Sequence, residues 1–373
     1  MLALCGNNSV AVGADSLASG EDATAIGAGA QAAAFGTAFG RLAISSASEA
    51  LAIGQNSDAT ATAAVAVGTD AQALGIGAVS LGRQANASAG DAIAIGRSSS
   101  ASQGNAVSLG SFAAATASSS LAFGSRSDAT GTSAIAIGGD GIDLDSDGAQ
   151  ATAARTLALG ADALANQVTA TAIGSGATAG GVDALALGTG TTASGIGSIA
   201  IGGDAPIDGD ALGASATGDF SLAIGPDASA TGGLAYALGA VSSSSGVNST
   251  AIGSFANASG ASSLAFGSSS TASADFAAAL GPAAQATADS ATAIGRGATA
   301  GFANSTAVGK DAATTAANQV TIGGTGSSVR IGDIAASTAA QSGPVEAVTV
   351  DGSGVLGTTS VASAASVQNV RVS

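Results

Sequence analysis

The chain contains no histidine and no tryptophan, one cysteine, four prolines, and only 3% aromatic and 9% charged residues. Without imidazole and with a single thiol, the common constellations for nucleophilic attack, general acid–base chemistry and zinc binding are missing, so an enzyme is not expected. Cys5 permits no intrachain disulfide, leaves the redox compartment open, and reads as a small buried residue. The shortage of bulky side chains excludes a wide core. Positive charge is scarce too: 9 Lys and Arg face 25 Asp and Glu, a net charge of −16, which disfavours nucleic acid and anionic lipid as partners. No apolar run approaches the roughly 20 residues of a membrane helix. Met1-Leu2-Ala3-Leu4-Cys5 also lacks the charged region and apolar length of a signal peptide.

What remains is mostly alanine, glycine and serine, with 57 glycines in 373 residues and a mean hydropathy of +0.45. That is too apolar for a Gly/Ser linker, so the chain is expected to fold. It is also repetitive. One phrase recurs: apolar residue or Thr, then Ala, then a large apolar residue, then Gly. Its glycines run from Gly13 through Gly27, Gly40, Gly54 and onward to Gly323, giving 22 anchors, and 18 of the 21 intervals are 14 residues. The exceptions are 13 residues (Gly27 to Gly40), 22 (Gly138 to Gly160) and 23 (Gly202 to Gly225). A fixed period of this kind marks a repeat architecture.

Within the phrase, period two means strand. Leu51-Ala52-Ile53-Gly54 and Ile93-Ala94-Ile95-Gly96 set two large side chains on one face and a methyl group on the other. Both faces are apolar, so both are expected to be buried. Two variable, often polar residues follow each glycine. A second small-residue alternation comes next, as in Ser16-Leu17-Ala18 or Ala85-Asn86-Ala87, and then a second turn, often with Gly (Gly20, Gly75, Gly131, Gly195, Gly246, Gly260). Each unit therefore reads strand, turn, strand, turn. A helix is excluded by the recurring glycine and the frequent Ser and Thr.

Equivalent units of this kind stack as the parallel coils of a solenoid. A coil of 14 residues has room inside only for Ala, Ser and Gly, so the Ile, Leu, Val and Phe of each phrase must face outward. Such a column exceeds what a soluble monomer exposes. Identical chains around a closed rotation axis would cover it, and the expectation is self-association.

The phrases Asn8-Ser9-Val10-Ala11-Val12-Gly13, Ser133-Ala134-Ile135-Ala136-Ile137-Gly138, Asn248-Ser249-Thr250-Ala251-Ile252-Gly253 and Asn304-Ser305-Thr306-Ala307-Val308-Gly309 closely resemble the head repeats of trimeric autotransporter adhesins of the YadA type. The likeness spans about residues 7 to 323. It implies an all-β, left-handed parallel β-roll, a parallel homotrimer, an extracellular position on a bacterial surface, and binding to collagen, fibronectin, other matrix proteins or surfaces. It makes Asn8, Ser9, Val10, Ala11, Val12, Gly13, Asn248, Ser249, Asn304 and Ser305 candidate ligand-binding residues. It also makes Ile53, Ile95, Ile137, Ile201, Ile252 and Ile294 the candidate trimer core.

Residues 1–310 are then the head, with longer loops at 139–153 and 203–219. Residues 311–344 resemble the family's neck, through Asn318-Gln319-Val320-Thr321-Ile322-Gly323 and Ser328-Val329-Arg330-Ile331-Gly332-Asp333-Ile334-Ala335. Residues 345–373 carry the strand-and-turn signal Val348-Thr349-Val350-Asp351-Gly352, with no sustained heptads, and read as a β extension or the start of a stalk. The family's membrane-anchor barrel and an export signal are not in the sequence, so it reads as a fragment whose surface attachment belongs to a parent molecule.

The two long intervals open alike, Ile137-Gly138-Gly139-Asp140 and Ile201-Gly202-Gly203-Asp204, and are acidic. In the first, Asp143, Asp145 and Asp147 ahead of Gly148 match the opening of a calcium loop, without the closing glutamate, since Ala154 stands at its twelfth position. Two readings stay open there, a solvated acidic loop and a weak calcium site; Asp208-Gly209-Asp210 in the second loop is a fainter version. No other cofactor is expected. Gly-x-Gly pairs such as Gly27-Ala28-Gly29 lack the helix of a phosphate loop and read as turns. Asn-x-Ser/Thr sequons at Asn7, Asn86, Asn248, Asn257 and Asn304 coincide with repeat positions that favour those residues anyway. Phe112 and Phe255, each two residues past an anchor glycine, are either contact aromatics or packed along the rod.

An adhesin head is the leading functional reading. A passive spacer or fibre shaft is the alternative. An ice-binding solenoid ranks lowest, because its threonine column (Thr24, Thr37, Thr171, Thr250, Thr292, Thr306) is interrupted by Leu, Val and Ile.

Overall fold

The computed structural model describes residues 6–141, 147–204, 212–330, 346–352 and 354–360. Two compact units divide it, residues 1–325 and 326–373. Among the described residues the first unit is all β. Short strands alternate between two parallel sheets, one of 22 strands and one of twenty. The 22-stranded sheet takes the three residues before each anchor glycine, from Val10–Val12 to Val320–Ile322. The other takes the dipeptides between them, from Leu17–Ala18 to Thr299–Ala300. Each strand pairs with its counterpart one coil away, as Ile93↔Val107, Ala94↔Ser108 and Ile95↔Leu109 do. A stack of about 22 coils at about 4.8 Å spacing makes this unit about 100 Å long. The parallel pairing runs past residue 310 to the strand Val320–Ile322, joined to Thr306–Val308.

The interior is as narrow as the composition requires. Among the described residues its buried hydrophobic side chains are all alanine, with buried Ser and Thr between them, and Thr156 and Thr191 are the largest fully enclosed side chains. The expectation that both strand faces are buried fails for the outer one in a single chain. Ile53 is 36% exposed and Ile294 41%, because a coil this thin has no room inside for a side chain larger than threonine.

The turns show a period that the glycine spacing conceals. Left-handed residues recur every seven positions: Gln84, Asp91, Ser98, Asn105, Phe112, Ser119, Arg126 and Ser133 all have φ between 53 and 60°. Each coil is thus two similar halves, and each half ends in one residue that reverses the chain. Left-handed geometry costs a non-glycine residue roughly 1–2 kcal/mol. It persists here because stacking repeats the same bond along the rod. The amide of Ser98 donates to the Arg83 carbonyl at 2.9 Å, and that of Phe112 to Arg97 at 2.8 Å. Inside the turn a hydroxyl reaches back three residues to cap a carbonyl: Ser57 to Gly54 and Ser99 to Gly96 in one half, Ser120 to Ala117 and Ser305 to Phe302 in the other.

The irregular intervals are absorbed at turns, so the ladders keep register. The one-residue deletion lies in the turn before Phe35, and Ile26↔Phe39 still pair. Both insertions leave after an anchor glycine and return at Gly148 and Gly213, whose amides donate to Arg126 and Gly190 at 3.1 Å. The short strands resume at Gln150 and Ser215, within the 139–153 and 203–219 windows, and Ile137↔Leu159 and Ile201↔Ile224 pair across the gaps.

The second unit contains an antiparallel hairpin of Glu346–Val350 with Leu356–Ser360. Its turn is closed by Asp351, whose Oδ1 accepts from the Val355 amide at 2.9 Å, with Gly354 at φ 82°.

Candidate functional site

The described surface offers two features: the outer face of the 22-stranded sheet and a cavity beside the first insertion. On the sheet, two residues per strand point outward on either side of an Ala or Ser that is buried in all but the terminal strands, where Ala11 and Thr321 stand half-buried. The column next to the anchor glycines is apolar in every strand, for example Leu81, Ile95, Leu109, Phe123 and Ile137, each in register with the next. The other outward column mixes Val, Leu and Ile with Thr, Tyr and Ala. There Thr24 pairs with Thr37 and Thr292 with Thr306, while Leu51 and Val65 separate others. The six isoleucines Ile53, Ile95, Ile137, Ile201, Ile252 and Ile294 all stand in the apolar column, exposed or half-buried.

The motif residues sort into three different positions. Asn8, Asn248 and Asn304 are exposed left-handed turn residues at φ 55–58°, and two of them bond along the rod, Asn8 to Asp22 and Asn304 to Asn318. Ser9, Ser249 and Ser305 are the inner turn hydroxyls. Ser249 and Ser305 are fully buried, with Ser249 donating to Gly246 at 2.7 Å and meeting Ser244 at 2.6 Å, so neither hydroxyl is presented to a ligand. Ser9 donates to Gly6 in the same way at 2.8 Å. Val10 (48%) and Val12 (55%) are exposed on the terminal strand, Ala11 between them is half-buried, and Gly13 is exposed at φ 131°. Asp143, Asp145 and the second-loop pair Asp208 and Asp210 lie outside the described residues, as does Cys5. Asp147 is described, and its Oδ2 accepts from Gln150 Nε2 at 3.2 Å.

The cavity holds about 350 Å³ between coils and insertion, lined by Phe112, Ala114, Arg126, Ser127, Asp128, Asp147 and Gln150. Ala114, Asp128 and Gln150 are neighbours on the outer face of the shorter-stranded sheet, and the missing bulk at Ala114 leaves the space. Arg97 lies over the Phe112 ring at 4.5 Å and Arg126 at 5.9 Å. The Arg126 Nη1 also bonds Asp140 Oδ2 at 2.5 Å. Asp128 has one buried oxygen, Oδ1, without a hydrogen-bond partner. Burial first, and then the nearby Asp147 carboxylate, raise its pKa above the ordinary value. Phe112, singled out in the sequence as either a contact aromatic or packed along the rod, is partly exposed with Arg97 over its ring. Arg126, Asp128 and Gln150 carry no sequence signal, being ordinary turn and strand residues made neighbours by the returning loop.

A model of the YadA head domain repeat (2 copies) matches residues 6–30, 59–85, 73–99, 87–113, 115–140, 148–177, 179–205, 213–228, 230–256, 258–284 and 286–312, more than half of the chain. None of the curated proteins matches it. Among solved structures, the collagen-binding domain of the Yersinia adhesin YadA is similar at 16% identity and a TM-score of 0.15, over 69% of this chain and 72% of that one. Repeat matches from residue 6 to residue 312, on a roll with this period and this all-alanine apolar core, mean that the chain belongs to the YadA head domain repeat family.

Proposed function

We propose that the chain is the head of a bacterial surface adhesin that works outside the cell as a parallel homotrimer and binds matrix proteins such as collagen or fibronectin, or solid surfaces, through many weak contacts. The observation that carries this reading is the apolar column of the 22-stranded sheet, unbroken from Val12 to Ile322. Three copies meeting along it would bury an otherwise exposed stripe and leave the polar turns outside, repeated along the rod for multivalent contact. Among the described residues no helix is long and apolar enough to cross a membrane. Solid-phase binding of the purified protein to collagen, fibronectin and laminin tests the adhesive reading. Failure to bind any of these, and polystyrene as well, would leave the passive spacer, which the same column also suits.

Weak calcium binding by Asp143, Asp145 and Asp147 belongs to the same proposal. Millimolar calcium should raise the melting temperature of the natural protein and not that of an Asp145→Ala variant, and equal shifts in both would remove the ion.

A further inference from the structure

We infer that one turn edge of each roll docks along the other turn edge of a second copy through ion pairs, and that these pairs set the axial register between the chains. The inference rests on the trimer reading and adds which surfaces meet and at what height. Each coil has two such edges, one just after its anchor glycine and one just ahead of its longer strand, where Asn56 and Glu49 are the left-handed residues on either side of Gly54. Seven bases lie on these edges. Among the described residues Arg126 meets Asp140 at 2.5 Å and Lys310 meets Asp311 at 3.5 Å. The other five, Arg41, Arg83, Arg97, Arg155 and Arg296, are exposed and make no ion pair within the chain. Each has an acid on the opposite edge: Arg41 and Glu49, Arg83 and Asp91, Asp91 and Arg97, Arg155 and Asp162, and Asp289 and Arg296 are separated by 8, 8, 6, 7 and 7 residues. Half a coil carries the chain from one edge to the other, so in a single copy these partners lie on opposite sides. In parallel copies around a closed axis, one edge of each faces the other edge of the next, and the partners come to similar heights.

Because the separations agree, one alignment serves all five pairs. The apolar column cannot fix that alignment by itself, since it repeats at every coil and slides onto itself after a shift of about 4.8 Å. The charges can. Shifted by one coil, Glu49 would stand between Gln55 and Thr69, or in the other direction Asp289 between Ser268 and Pro282, each without its arginine. The same spacing also relates two like-charged pairs, Asp15 with Asp22 and Asp219 with Asp227. There Asp22 already accepts from Asn8, and Asp219 from the Ile196 amide, along their own edge. Exposed ion pairs are individually weak and screened by salt, so their part is alignment more than affinity.

The experiment is a charge-reversal cycle on the full chain, read as the urea concentration at which light scattering reports loss of the trimer. Arg41→Glu and Glu49→Arg should each lower that midpoint, and the two together should recover roughly half or more of the summed loss. The two side chains lie on opposite edges of one copy, so recovery reports contact between copies. Molar salt should shrink the differences. Arg155 already occupies the turn position of Glu49 on another coil, at φ 59°, and circular dichroism without urea checks that each variant keeps the roll. The same cycle on Asp289 and Arg296 repeats the test far along the rod. Single variants without loss, additive losses in the double variants, or differences indifferent to salt would overturn the edge pairing and leave the trimer standing. A natural protein with the mass of one chain would instead remove the trimer reading itself.

Discussion

Gly54 lies so close under Gly68 of the next coil that a Cβ built on it would fall 2.4 Å from the Gly68 carbonyl oxygen, on a backbone with φ of 132°. The anchor glycines are therefore required twice over, by an angle that L side chains rarely adopt and by the backbone of the coil above. Gly176 is different: its φ is 64° and nothing stands within 4 Å of its missing Cβ. Gly54→Ala should lower stability by several kcal/mol or split the roll locally, whereas Gly176→Ala should cost about 1–2 kcal/mol. Thermal denaturation of the two variants side by side reads the difference. Similar losses would mean that coil contact adds nothing to the glycine requirement.

The interior should accept a hydroxyl more readily than a methylene. Ala94 is enclosed between Ser80 and Ser108, whose hydroxyls donate to carbonyls five residues on, Ala85 at 2.7 Å and Ala113 at 2.8 Å. Ala94→Ser should find the same bond to Ser99 and change stability by less than about 1 kcal/mol. Ala94→Leu should overpack the coil and cost roughly 3 kcal/mol or more. Melting temperatures of the two variants give the ordering directly.

Ile95 shares its outward column with Leu81 and Leu109. Replacing it by Asp should leave the single coil intact, since the side chain points away from the alanine interior, and should impair the proposed trimer by setting three unpaired carboxylates together. Multi-angle light scattering should then report a smaller mass than for the natural protein, with unchanged far-ultraviolet circular dichroism. An unaltered mass would place the subunit contact elsewhere.

Burial raises the pKa of Asp58 above its ordinary value of 3.8. The folded state therefore holds that proton more tightly than the unfolded one, so the contribution to stability is full below pH 3.8 and is lost as pH rises through the folded value. Asp58→Asn removes this loss. The variant should be more stable than the natural protein at pH 7 and no more stable below pH 3.8. Denaturant titrations at the two pH values check the sign, and a gain that persists in acid would point to packing instead.

Much of the roll is legible in the residues because its information is local and repeated. The 14-residue spacing fixes which strands pair. The shortage of bulk fixes that Ala94 faces in and Ile95 out, and the two long intervals mark where loops must leave. The seven-residue half-coil was hidden because its signature is a backbone angle shared by residues as unlike as Gln84, Phe112 and Arg126. The mixed roles within a motif were hidden for a related reason. Asn248 and Ser249 are adjacent in sequence, yet the turn sends one side chain to solvent and the other inside.

The sequence alone determined a narrow parallel solenoid with its large side chains outside, because a coil of that length encloses no volume for them whatever the details of its turns. Only the tertiary structure decided where a cavity forms. Phe112, Asp128 and Asp147 come from two successive coils and the end of an insertion, and nothing in their spacing states that the loop returns beside the short strands. Their meeting depends on the hydrogen bond by which Gly148 rejoins Arg126, a contact made only once the coils are stacked.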